Sequence, residues 1–162
     1  MSDWVLSIVP TDHLWTPQGP DAERARAVLS RFEPTQSEVT SEFPGRVMAY
    51  DTGQNWETDT LTCPDCGHRL ADDWFGDEVV RAADTSDLRS LEVTSPCCAR
   101  VVSLNAIAGR HRWPMAFASF SLQIWNPEAE WVWREVPLAS DNQLEEVGNA
   151  LGHTVVRILA HY

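Results

Sequence analysis

Cys63-Pro64-Asp65-Cys66-Gly67-His68 is answered about thirty residues later by Ser95-Pro96-Cys97-Cys98, and these two stretches hold all 4 cysteines of the 162-residue chain. A Cys-x-x-Cys turn offers two sulfurs from one compact loop, and a second pair can complete a tetrahedral set around a metal such as zinc. The two pairs enclose a middle segment whose character differs from what precedes and follows it. The chain therefore reads as one domain interrupted by an insert that the cysteines punctuate.

Working outward, Trp4–Val9 alternates its larger residues and stops at Pro10, which predicts a first strand. Pro20-Asp21 opens a helix with Ala22, Ala25, Leu29 and Phe32 on one face, ended by Glu33-Pro34. The polar run Thr35–Glu42 reads as loop, and Gly45–Tyr50 as a second strand. Within the insert, short strands are expected at Thr58–Thr62, Leu88–Thr94 and Val101–Leu104. A helix over Asp72–Ala83 buries Phe75, Val79 and Ala82. Beyond Pro114, Ala116, Ala118, Phe120, Leu122 and Ile124 alternate along one strand face. Asn126-Pro127 turns the chain, and Trp131–Val136 is placed to return as a hairpin partner. Ser140 and Gln143 spell a capping box, Leu144, Val147 and Leu151 a helix stripe, and Gly152 a helix C-cap. Thr154–Leu159 closes as a last strand.

Without the insert the order is strand–helix–strand, strand–helix–strand. That order resembles the ferredoxin-like split βαβ arrangement, an α+β fold with an antiparallel sheet and two helices on one face. The division is 1–50 with 114–162 for this core and 51–113 for the insert. The Cys63-Pro-Asp-Cys66-Gly67 turn resembles the CPxCG knuckle of zinc-ribbon proteins, and the likeness spans about residues 58–104. It implies a structural zinc held by Cys63, Cys66, Cys97 and Cys98. Ser95 stands where the second knuckle would have its first cysteine, so two ligand sets remain open. Either Cys97 and Cys98 both ligate, or three cysteines do and His68 supplies the fourth position. A catalytic zinc would need an open position and a nearby base, and no H-x-E partner motif is present. A redox dithiol would need a helix N-terminus after Cys66 to lower a thiol pKa. Unliganded buried cysteines are the plainest reading of all.

The bulk numbers narrow the function classes. A hydrophobic share of 43% and 8 tryptophans describe a folded globule. No apolar run reaches the roughly 18 residues of a membrane span, and the start of the chain lacks a signal-peptide pattern. Clustered cysteines without an export signal predict a reducing, cytoplasmic setting. A net charge of −12 repels phosphate backbones. The nearest basic patch, Arg110-His111-Arg112-Trp113, is too small to reverse that, so nucleic acid is not an expected partner. All 12 basic residues are arginine, which excludes Schiff-base and phosphate-loop lysines.

No G-x-S-x-G, H-E-x-x-H, G-x-G-x-x-G or P-loop occurs. The expected role is accordingly protein binding, with an inhibitor or immunity-type protein for a basic partner as the concrete form. Trp131 and Trp133, flanked by Glu130, Arg134 and Glu135, are either covered by the insert or exposed as anchors of a binding patch. The competing class is a metal-dependent enzyme using the zinc or a pocket near Asp12, His13 and His111. His153 has a local explanation at a helix C-terminus, and His161-Tyr162 reads as surface. Trp4, Trp56, Trp74 and Trp113 read as packing residues at the junction of core and insert.

Overall fold

The computed structural model describes residues 3–33, 37–54, 61–110, 114–127 and 139–162. In chain order the elements are β1 (Trp4–Pro10), α1 (Gly19–Phe32), β2 (Val39–Glu42), β3 (Met48–Tyr50), α2 (Asp72–Ser86) and β4 (Glu92–Thr94). They continue as β5 (Val101–Ser103), α3 (Leu104–Ala108), β6 (Ala116–Ala118), β7 (Ser121–Trp125), α4 (Asp141–Leu151) and β8 (Val155–His161). This is a mixed α/β chain built on a four-stranded sheet in the order β2-β7-β1-β8, with every neighbouring pair antiparallel.

Period two makes that sheet amphipathic. Leu6 lies opposite Ile124 and Leu159, Ile8 opposite Leu122, and Val39 opposite Ile124, so one face is a continuous aliphatic layer. Ala22, Ala25 and Leu29 of α1 and Val147 and Leu151 of α4 close over it, forming the main core with Phe120. Both helices therefore sit on the same side. The small Ala22 and Ala25 let α1 approach closely, and Pro20 is tolerated because the first turn has no intrahelical acceptor for its missing N–H. Helix α4 begins with the capping box: the Gln143 N–H donates to Ser140 Oγ at 3.4 Å and the Ser140 N–H to Gln143 Oε1 at 2.8 Å. It ends on Gly152 at φ +84°.

Two departures from the sequence expectation concern which strands pair. The second strand of the main sheet is Val39–Glu42, and Met48–Tyr50 pairs instead with Ala116–Ala118 as a separate ribbon. β2 is an edge strand that contributes one apolar side chain, Val39, so its sequence carries almost no alternation. The expected single strand through residues 116–124 breaks at Ser119-Phe120. Ala116 and Ala118 join a small cluster with Val9 and Ile158, whereas Phe120, Leu122 and Ile124 face the helices. The Ser119 hydroxyl donates to the His13 carbonyl at 2.8 Å and fixes this break. The expected hairpin partner Trp131–Val136 and most of Thr58–Thr62 lie outside the described residues.

A second core lies under the cysteine turns. Leu61, Leu70, Phe75, Ala82, Leu91, Val93, Leu104 and Ile107 pack with Val47, Met115 and Phe117. Helix α2 turns Phe75 and Ala82 inward, with Val79 partly buried against the same cluster. Trp74 packs there too, whereas Trp4 stacks on His161 with ring centroids 4.2 Å apart. Trp56 and Trp113 lie outside the described residues. None of the helices among the described residues is long and apolar enough to cross a membrane.

Candidate metal centre

Two turns of the same build bring the cysteines together. In the first, the Cys63 N–H donates to the His68 carbonyl at 2.8 Å and the Gly67 N–H to the Cys63 carbonyl at 3.0 Å. Gly67 takes φ +74°, a corner that glycine occupies without a Cβ penalty. Thr62 and Arg69 form an antiparallel bridge at the base of this turn. In the second, the Ser95 N–H donates to the Arg100 carbonyl at 2.8 Å and the Ala99 N–H to the Ser95 carbonyl at 2.9 Å. The β4–β5 pairing supplies its base through Thr94 opposite Val101. Arg100 Nε reaches Asp65 Oδ2 at 2.9 Å and ties the turns together on the surface, a contact worth about 0.2–1 kcal/mol where exposed.

The four sulfurs of Cys63, Cys66, Cys97 and Cys98 lie within 4.8 Å of one another. Cys63 Sγ is 3.8 Å from Cys98 Sγ, and Cys66 Sγ is 3.2 Å from Cys97 Sγ. A tetrahedron with zinc–sulfur bonds of about 2.3 Å has sulfur–sulfur edges of about 3.8 Å, so the set fits an ion of that kind. None of the four is in a disulfide. His68 is exposed and stands outside this group; it contributes to the turn through its backbone. Four cysteines close together that could hold a metal ion are thus what the fold assembles.

The site is sealed on one side and open on the other. Cys63 and Ser95 are fully buried, Cys98 is half-buried, and Cys66 and Cys97 are exposed. The Ser95 hydroxyl foremost, with the backbone N–H groups of Cys66 and Asp65, outweighs burial and brings the Cys63 thiol down to about 6. At Cys66 the His68 N–H favours the thiolate. The Cys97 sulfur beside it, burial and the sulfurs of Cys63 and Cys98 nevertheless push it up to about 12. One thiol ionises readily and its neighbour then resists, as expected of sulfurs packed this closely. A cation among them removes the conflict, because a bound metal takes all four as thiolates.

Among the described residues, Asp12 and His13 are held in separate contacts. Asp12 Oδ1 accepts from the Leu14 N–H at 3.0 Å, and the His13 ring meets the Arg89 carbonyl at 3.0 Å. Both are spent on loop contacts, and His111 lies outside the described residues, as do Trp131 and Trp133. His153 packs on Trp15 with ring centroids 4.6 Å apart and contacts the Thr154 carbonyl at 2.8 Å. Asn105 is announced by no motif, yet its amide fastens α3 to β6 at Phe117 of the second core. No local pattern announces a side chain whose partner is a backbone twelve residues away. Compared with protein-family models, with curated proteins and with solved structures, the chain matches none.

Proposed function

We propose that this protein binds one zinc ion through Cys63, Cys66, Cys97 and Cys98 and that the ion is structural. The observation that carries the proposal is the clustering of four sulfurs within 4.8 Å of one another on two matched turns. Four thiolates complete a zinc shell and leave no position for a reactive water, so the geometry does not favour the metal-dependent enzyme. The metal-bearing turns with β4 and β5 support a zinc-ribbon-like insert over 51–113. The order β2-β7-β1-β8 with helices on one face supports a ferredoxin-like core over 1–50 and 114–162. Free thiols suit a reducing cytoplasm. Metal analysis of protein purified without chelator tests the site. About one zinc per chain is expected; less than about half an equivalent, with four freely titrating thiols, overturns it.

For the biological role we carry forward binding of a basic protein partner. A cleft of about 350 Å³ on the open face of the main sheet supports it, lined by Trp125, Tyr50, Tyr162, Glu42 and Asp51. Trp125 is 53% exposed at its mouth. Aromatic faces beside carboxylates suit an arginine or lysine side chain. The expected result is a stoichiometric complex from native cytosol that weakens with salt and with Trp125→Ala. An unchanged complex in both tests removes this cleft from the account.

A further inference from the structure

A shift of 32 positions carries the first turn onto the second. Thr62 opposite Arg69 becomes Thr94 opposite Val101, and the bond from the Cys63 N–H to His68 becomes the bond from the Ser95 N–H to Arg100. Gly67 at φ +74° becomes Ala99 at φ +57°. Ala99 holds this corner although a Cβ makes it costly, by about 1 kcal/mol or more, so the turn's shape is imposed by its surroundings. Under the same shift Cys66 maps onto Cys98, both at ligand positions. Cys63 maps onto Ser95, and Cys97 maps onto Asp65, which does not belong to the sulfur group.

Ser95 is therefore a hydroxyl at the position from which a regular second turn would donate its first sulfur. It is fully buried, and its Oγ lies 3.3 Å from Cys63 Sγ and 3.1 Å from Cys97 Sγ. One hydroxyl proton can serve only one thiolate at a time. Its partners are the most enclosed sulfur of the cluster and an exposed one. Other polar contacts for the Ser95 side chain are not seen among the described residues.

We propose that Ser95 is a positioning residue of the metal centre, and that Cys97 supplies the fourth sulfur from a neighbouring, off-register position. The proposal rests on the zinc reading above and adds to it an asymmetry of the shell. Cys63, Cys66 and Cys98 bind from regular turn positions, and the Ser95 hydroxyl donates to the enclosed Cys63, which leaves the exposed Cys97 beside it without that proton. Cys97 is then the ligand from which the metal is lost, because it is both exposed and outside the turn's regular ligand geometry. A sulfur restored at position 95 can take over its place.

Cobalt(II) titration of the full chain reads this directly, since thiolate-to-cobalt charge transfer scales with the number of bound sulfurs. Cys97→Ala should lose about a quarter of that intensity and bind more weakly. Adding Ser95→Cys to it should restore the four-sulfur spectrum and bring affinity back to within about tenfold of the parent, with slower release to a chelator. Ser95→Ala, which keeps four cysteines, should retain the spectrum and lose about 10–100-fold in affinity, the usual cost of removing a ligand's hydrogen-bond partner. A double variant no better than Cys97→Ala, or a Ser95→Ala chain with unchanged affinity, overturns the proposal. A parent chain that takes up no cobalt overturns the metal reading itself, and this one with it.

Discussion

Asn105 and Phe117 hydrogen-bond twice. Asn105 Nδ2 donates to the Phe117 carbonyl at 3.0 Å, and the Phe117 N–H donates to Asn105 Oδ1 at 2.7 Å. A side-chain amide thus does for β6 what a neighbouring strand would do, and it holds α3 against the strand. Phe117 is fully buried in the cluster beneath the cysteine turns, so its backbone groups have no access to compensating water. Asn105→Ala leaves both unpaired and should destabilise the protein by about 2–4 kcal/mol. Asn105→Asp should lose stability as well, because a carboxylate cannot donate to the carbonyl. Chemical denaturation of both variants checks this, and parent-like midpoints would remove the pair from the account.

Gly53 closes the outer edge of β8. It bridges to His161, with the Gln54 N–H on the His161 carbonyl at 2.8 Å and the His161 N–H on the Thr52 carbonyl at 3.2 Å. A Cβ at position 53 would stand 2.2 Å from the His161 carbonyl oxygen, and φ is +59°. Gly53→Ala should cost about 2–3 kcal/mol through the combined steric and conformational penalty. Gly53→Asn relieves only the conformational part and should remain destabilised. At Gly152, φ is +84° and nothing lies within 4 Å of the added carbon, so Gly152→Asn should carry the backbone penalty alone and cost less than Gly53→Asn. Thermal unfolding of the three variants separates crowding from backbone preference.

The Ser140 capping box starts α4, the helix that covers the main sheet beside α1. Ser140→Ala removes the acceptor for the Gln143 N–H and should cost about 1 kcal/mol. Zinc uptake should be unaffected, because the helix packs on the main sheet and not on the cysteine turns. A variant that loses metal along with stability would contradict this separation.

Much of this arrangement was legible where a pattern repeats along the chain. Ala22, Ala25 and Leu29 carry the helical period, Ser140 and Gln143 announce a helix start, and four cysteines in two pairs point to one cluster. The rest depends on contacts that no local pattern encodes. Val39 is a lone apolar residue on an edge strand, so β2 read as loop while Met48–Tyr50 took its place. Ala116 to Ile124 alternates without interruption, yet the chain changes sheets at Ser119, where a hydroxyl finds the His13 carbonyl. The adjacent Cys97 and Cys98 left the fourth ligand open against His68; folding brings both sulfurs into the cluster while His68 contributes its backbone carbonyl.

On the structural-zinc proposal, the metal folds and fixes the segment around the cysteine turns while the main sheet stands on its own core. Amide hydrogen exchange of the full chain with zinc and after chelation tests it most directly. Protection should collapse at Cys63, Leu70, Ser95 and the β4–β5 rungs on chelation but persist through β1, β7 and β8. Protection at the cysteine turns that is unchanged by removal of the metal would contradict it.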